Sequence, residues 1–297
     1  MTDPDLARRR YLALQRTARS AGRPTDELMT IYALEGFLAR LGLSAHASNL
    51  VLKGGMLIAA FTERRFTRDV DLQALHVAND ADIVKSIVVE VASLPYPDGV
   101  EYDTSTLTAG VIREDDAYAG VRISMNARLH TAVLKLKVDV NVGDPVWPGP
   151  IEIDVPSVLD GEPPIRVIGY PLPMVLAEKL ITAVARGVAS TRWRDFADVV
   201  LLSSTNSVDG DEMAEALDAV ATYRQVTLQP LREVLDGYGT LAQERWRRWL
   251  ERQGLEDRVS PVFADVLEQV FTFADPVLTG RTKGTAWIQK SGWIPRP

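Results

Sequence analysis

Lys53-Gly54-Gly55, followed across residues 56–68 by Asp69-Val70-Asp71, has the parts needed to hold a polyphosphate and a metal ion. Side chains at i and i+2 of a strand share a face. Asp69 and Asp71 therefore project together, while Val70 and Leu72 turn towards a core. Neighbouring carboxylates repel unless a cation joins them. Oxygen-only ligands suit Mg²⁺, which keeps several waters and binds one or two carboxylates together with substrate phosphates. Glycines ahead of a helix leave backbone N–H groups open to a phosphate. The pattern predicts a strand over 49–52, a glycine turn, a short helix over 56–61 and a second strand carrying the acids. The chemistry such a unit serves is that of a metal-bound nucleoside triphosphate.

A third acid stands in the clearest strand of the chain, Leu134-Lys135-Leu136-Lys137-Val138-Asp139-Val140-Asn141. Alternation places Leu134, Leu136, Val138 and Val140 on one face, and Lys135, Lys137, Asp139 and Asn141 on the other. Taken alone, Asp139 is an ordinary polar residue of a half-solvated strand. Beside the glycine pair and Asp69-Val70-Asp71 it completes a three-carboxylate cluster, the donor set for two Mg²⁺ ions about 3.5–4 Å apart. Lys53 either reaches a phosphate or pairs with a nearby acid. Arg65 and Arg68 flank the carboxylates and either bind phosphate or hold the loop.

Two later segments carry ionisable residues in unusual places. In Leu176-Ala177-Glu178-Lys179-Leu180, helical spacing groups Lys179 with Val175, Leu176 and Ala183. A lysine on an apolar stripe either snorkels outward or meets an anion in a cleft. In Arg192-Trp193-Arg194-Asp195-Phe196-Ala197-Asp198, Arg192 and Asp195, and Asp195 and Asp198, are i,i+3 neighbours. Asp195 is also favoured in a first helical turn by the helix dipole, and Asp198 reads as half of a surface pair with Arg194.

The order glycine pair, paired aspartates and third acid resembles the nucleotidyltransferase superfamily of the DNA polymerase beta type. More narrowly, Lys53-Gly54-Gly55, Arg65, Thr67 and Arg68-Asp69-Val70-Asp71 are similar to the AbiEii/MenT toxins, the nucleotidyltransferase halves of bacterial toxin–antitoxin pairs. The A-E-K-L and R-x-x-D-x-x-D segments resemble that family's downstream motifs. The resemblance spans roughly residues 49–200. It implies a transfer of a nucleoside monophosphate from an NTP to an acceptor hydroxyl, the tRNA 3′ end foremost, and a cognate antitoxin as partner. It assigns Asp69, Asp71 and Asp139 to metal, a pair of Mg²⁺ ions, and Lys53, Gly54, Gly55, Arg65, Arg68 and Lys179 to the nucleotide. Lys179 and Asp195 join Asp69 and Asp71 as catalytic groups, with Arg192 and Asp198 as weaker transfers. Other acceptors keep the same chemistry: a protein hydroxyl or a small molecule such as an aminoglycoside. A non-catalytic nucleotide-binding module is the third alternative. Thr67, two residues before Asp69, places a hydroxyl near the metal ligands, where a phosphate group would compete for Mg²⁺.

The elements that must position these groups follow from periodicity. Residues 4–21 and 25–42 read as amphipathic helices, and 80–93 as a third with Ile83, Ile87, Val88 and Val91 inward. From 99 to 155 the pattern is β-like. Residues 156–173, rich in proline and glycine, read as a domain connection. Helices are expected over 173–187, 192–204, 210–220, 240–253 and 261–274. The fold class is therefore α+β: a nucleotidyltransferase domain over 1–160, with a mixed sheet flanked by helices, then a mainly helical domain over 161–297.

Cysteine is absent, which excludes disulfides and thiolate metal sites, and three scattered histidines make poor zinc ligands. No apolar run is long enough to span a membrane and the start lacks an apolar signal core, which fits a reducing cytoplasm. The net charge of −7 is unlike a general nucleic-acid coat. Arginines crowd locally at 8–23, at 245–258 and in the tail. These clusters either track a phosphate backbone or form solvated helix surface.

Overall fold

The first helix is set by its cap. Asp3 accepts a hydrogen bond from the Asp5 N–H and Pro4 opens the first turn of α1 (Pro4–Ser20). The computed structural model describes residues 3–114 and 118–296, which form two compact units.

The first unit comprises residues 1–60, 64–144 and 150–170. Its elements are α1, α2 (Thr25–Leu43), β1 (Leu50–Lys53), α3 (Gly54–Ile58), β2 (Val70–Ala74), α4 (Ala81–Ser93), β3 (Val100–Glu114), β4 (Tyr118–Leu129), β5 (Ala132–Val142), β6 (Ile151–Val155) and β7 (Ile165–Gly169). The seven strands form one mixed sheet in the order β3-β4-β5-β2-β1-β7-β6. β5 runs parallel to β2, and β7 parallel to β1; the remaining neighbours are antiparallel.

Alternation assigns the faces. Val121, Ile123, Met125, Ala127 and Leu129 of β4, with Leu134, Leu136, Val138 and Val140 of β5, are buried on the side where α1, α2 and α4 pack. α2 is buried on almost all sides, as a central core helix must be. Its Arg40 is fully used: all five guanidinium N–H groups donate, to Asp98 and to the carbonyls of Leu94, Gly36 and Val100. This fastens α2 to the segment joining α4 and β3. α4, capped by Asp80, turns in Ile87, Val88 and Val91 as expected, but Ile83 is 45% exposed and Val84 takes its place in the core.

The expected connection over 156–173 contains β7, a central strand. Its short run Ile165-Arg166-Val167-Ile168-Gly169 alternates buried and exposed positions between flanking turns, too brief to stand out among the prolines. The first strand also ends later than expected, taking in Lys53, and the glycines open α3 directly instead of preceding it as a turn.

The second unit comprises residues 61–63, 145–149 and 171–297, the last residue lying outside the described ones. It contains α5 (Leu172–Arg186), α6 (Trp193–Thr205), β8 (Val208–Asp209), α7 (Gly210–Arg224), α8 (Leu231–Val234), α9 (Tyr238–Gln253), α10 (Phe263–Leu278), β9 (Thr285–Ile288) and β10 (Gly292–Pro295). An aromatic core of Phe196, Tyr238, Trp246 and Phe263 joins α6, α9 and α10. The short strands form a three-stranded sheet in the order β10-β9-β8, absent from the helical expectation. Two of the arginines of α9 are paired within the helix, Arg247 with Glu244 and Glu251, and Arg248 with Glu244. These pairs are exposed, salt-bridged helix surface. Among the described residues no helix is long and apolar enough to cross a membrane.

Candidate active site

Register converges three acids that lie far apart in the chain. Asp71 of β2 pairs with Asp139 of β5 in the parallel ladder, and Asp69 directly precedes β2. Carboxylate oxygens of Asp69, Asp71 and Asp139 lie within 4.8 Å of one another. The donor set is all oxygen, which fits Mg²⁺ or Mn²⁺ and excludes the softer thiolate-seeking ions.

The cluster is braced on each side. Thr67, buried, donates to Asp69 Oδ1 at 2.9 Å. Arg122 of β4 stands opposite Asp139 and grips it with a guanidinium fork, Nε to Oδ1 at 2.8 Å and Nη2 to Oδ2 at 2.5 Å. Hydrogen bonding to Asp139 is the main cause holding the Arg122 guanidinium protonated beyond its ordinary range; partial burial opposes it, and the charges of Asp139, Asp69 and Asp71 reinforce it. Arg122 escaped the sequence reading. Its alternation with Val121 and Ile123 was visible, but its place opposite Asp139 depends on a hairpin register that composition does not fix.

Gly54 and Gly55 line the cluster as well. Gly54 has φ +67°, and a Cβ there would collide with Asp71 Oδ2. A Cβ on Gly55 would lie 2.6 Å from Thr67 Oγ1. The glycine pair is thus demanded by the close approach of Asp71 and Thr67, independently of any phosphate.

Lys53, level with Asp71 across the β1–β2 ladder, is 6% exposed and donates to Asp144 Oδ2 at 3.1 Å, with its ammonium 5.5 Å from the centre of the Tyr170 ring. Of the two roles open to Lys53, the structure displays the pairing with an acid. Asp144, two residues beyond β5, is a second group the sequence did not flag. In the amide orientation that satisfies its neighbours, buried Gln73 accepts from the Gly143 and Asp144 N–H groups at 3.2 Å each, fixing that turn. Arg65 is buried with Nη1 donating to the Phe66 carbonyl at 3.3 Å, and Arg68 is exposed with its guanidinium 5.3 Å from the Phe66 ring centre.

The second unit gathers its own polar cluster. Lys179 of α5 does not snorkel. Its ammonium donates to Asp195 Oδ1 at 3.0 Å and Asp198 Oδ2 at 2.6 Å, both on α6. Arg192 donates to Asp195 Oδ2 at 2.8 Å. Asp198 is fully buried, so it is not half of a surface pair. Burial pushes the Asp195 carboxyl up, but Lys179 and Arg192 outweigh it and hold it well below the usual carboxylate range. Glu178 and Thr182, on the next stripe of α5, are met by Arg224 of α7 at 3.3 and 3.1 Å.

The family model "Nucleotidyl transferase AbiEii toxin, Type IV TA system" matches residues 36–269. The chain belongs to the AbiEii nucleotidyltransferase toxin family. It is a nucleotidyltransferase, and its family implies an NTP substrate and an antitoxin partner. Among solved structures, MenT4, a nucleotidyltransferase toxin from Mycobacterium tuberculosis H37Rv, is similar in fold: TM-score 0.51 and 18% identity, covering 90% of this chain and 98% of that one. A putative nucleotidyltransferase from H. pylori gives a TM-score of 0.45 at 14% identity, covering 86% of this chain and 96% of that one. JHP933 from Helicobacter pylori gives 0.39 at 15% identity, covering 80% and 94%. No curated protein matches the chain in sequence.

Proposed function

We propose that this nucleotidyltransferase transfers a nucleoside monophosphate from an NTP to the 3′ hydroxyl of an RNA, the tRNA acceptor end foremost, and that Asp69, Asp71 and Asp139 hold the divalent ions the reaction uses. The convergence of these three carboxylates within 4.8 Å carries the proposal. Divalent ions bound there supply Lewis-acid neutralisation of the triphosphate and acidify the acceptor hydroxyl. The acceptor oxygen bonds to the α-phosphorus, the bond from that phosphorus to the β-bridging oxygen breaks, pyrophosphate leaves and the hydroxyl proton passes to water.

The chain's own groups have distinct parts in this scheme. Thr67 and Arg122 hold Asp69 and Asp139 in place from opposite sides. An ammonium has three N–H donors. Lys179 spends two on Asp195 and Asp198, and its assignment to the nucleotide draws on the third. Asp195, held strongly acidic, is a poor proton acceptor; its role is to position Lys179. The family match runs across both units and so includes both clusters.

The test is incubation with labelled NTPs, Mg²⁺ and total tRNA, using wild type, Asp69→Ala and Asp71→Ala. Label on RNA from the wild type alone is the expected result. Equal labelling by wild type and variants would reject the metal assignment, and label appearing on protein or on a small molecule would reject RNA as acceptor.

A further inference from the structure

The sheet face bearing the acids continues away from them as a stripe of cations. Ladder register puts Asp71, Asp139, Arg122 and Gly110 in one row across β2, β5, β4 and β3. One step along, Lys137 stands opposite Ser124, and Ser124 opposite Thr108; beyond them Lys135 faces Asn126. Arg128 continues the same face of β4, where Glu101 of β3 stands opposite it and Asp103 opposite Asn126, so the cations follow β4 and β5 and the β3 edge beyond them carries two exposed acids. The opposite face of these strands is the one packed against α1, α2 and α4. Lys135, Arg128 and Thr108 are exposed, and Lys137 is half-buried. A groove of about 410 Å³ opens on this face, bounded by Thr108, Ile112, Arg122 and Ser124. Gly110 belongs to its lining, and a Cβ on that glycine would meet nothing within 4 Å.

We propose that this open face of β3, β4 and β5 seats the acceptor. Its occupant is the 3′ end of a single-stranded polynucleotide, with the terminal nucleoside in the groove and successive phosphodiesters along Lys137, Lys135 and Arg128. The assignment rests on the RNA-acceptor reading above. Three features select that occupant. Lysines at i and i+2 repeat about 7 Å apart along a strand, which matches a ligand with repeated anions rather than a single phosphate. Ser124, Asn126 and Thr108 between the cations supply neutral donors suited to sugar and phosphate oxygens. Strands lie about 4.8 Å apart, so the groove at Gly110 is about 10 Å from Asp139, within the span of one nucleotide. A bare carboxylate cluster would repel a polyanion; the cations beside it offset this where the chain must approach. Arg122, 43% exposed and held by Asp139, sits at the border where the sign of the surface changes.

The experiment pairs fluorescence anisotropy of a short single-stranded RNA bearing a 3′ hydroxyl with calorimetry of NTP binding in Mn²⁺. Two variants probe the face: Gly110→Glu, which fills open space, and the double variant Lys135→Glu/Lys137→Glu. Both are expected to weaken RNA binding at least tenfold while NTP binding stays at the wild-type value. Replacing two phosphate contacts should also flatten the dependence of log K on log salt by about 1.4. RNA binding unchanged in both variants would overturn the proposal while leaving nucleotidyl transfer to RNA intact. If wild type instead labels no RNA, the acceptor reading itself has failed. Normal RNA binding by the variants, with Lys135 and Lys137 shielded by a protein partner, would overturn it in favour of a protein-docking face.

Discussion

Removing the Lys179 ammonium separates its structural share from its chemical one. In Lys179→Met the carboxylates of Asp195 and Asp198 lose the cation they share, at 3.0 and 2.6 Å. Their side chains are 7% and 0% exposed, and that of Lys179 is 11% exposed, so little water can take its place. Breaking one partner of a buried ion pair costs about 3–5 kcal/mol. Arg192 still holds Asp195 at 2.8 Å, which places the cost near the lower end, about 3 kcal/mol. For a unit of this size such a loss lowers Tm by roughly 10 °C. Adding Asp198→Asn to Lys179→Met removes the exposed debt of charge and should restore at least half of that loss, because an amide in place of the buried carboxylate carries no charge. Scanning calorimetry and the NTP-labelling assay are read side by side. The double variant is expected to regain stability and stay inactive. A Lys179→Met protein melting within 1–2 °C of wild type would refute the buried-network argument, a shift well below what even 1 kcal/mol yields in a domain of this size. A double variant that is both stable and active would refute a chemical role for the ammonium.

Four further outcomes follow from the same geometry. Asp195 is held below its unfolded range near 3.9, so its contribution to stability is present above that pH and is lost as pH falls through the folded value; Asp195→Asn should abolish this acid limb in denaturation midpoints. Burial lifts Glu35 from 4.5 to about 7 despite Arg64, Val158 and Ser157, so the folded chain keeps a proton that the unfolded chain sheds. Stability contributed by Glu35 therefore falls as pH rises across that window, and Glu35→Gln should flatten the change in midpoint between pH 5 and 7.5. Arg122→Gln removes the fork that holds Asp139 in place, and Mn²⁺ titration followed by electron paramagnetic resonance should show severalfold weaker binding; tighter binding, by the roughly 1 kcal/mol of one charge near 4 Å in water, would show instead that the guanidinium competes with the ion for Asp139. Thr67→Val loses the 2.9 Å bond to Asp69, with an expected cost of about 1 kcal/mol in urea denaturation and a higher Mg²⁺ requirement for labelling.

Which parts were legible in the sequence depended on whether the signal was local. The glycine pair, the two aspartates and the alternating strand around Asp139 announced themselves because each occupies a few consecutive residues. Arg122 and Asp144 did not, since one finds its partner through hairpin register and the other through a turn beyond β5. Strand β7 was hidden by the prolines on either side of it, and the β9–β10 hairpin by its brevity. Lys179 illustrates the limit of periodicity: its position on an apolar stripe was plain, but the carboxylates that meet it belong to another helix. The pairing of Arg247 and Arg248 within α9 shows the converse, a basic run whose neutralising acids stood in the same turn sequence all along.

The fit between Gly54 and Asp71 makes the loop and the acid a single mechanical part. Any side chain installed at position 54 pushes on the Asp71 carboxylate before it can disturb a bound triphosphate. On the proposed metal assignment, inactivity after a glycine replacement would therefore measure a misplaced Asp71, and the two causes are told apart by asking whether divalent-ion binding falls in the absence of nucleotide. Drift at this position is constrained by the acid's location, so the glycine and the aspartate must change together or not at all.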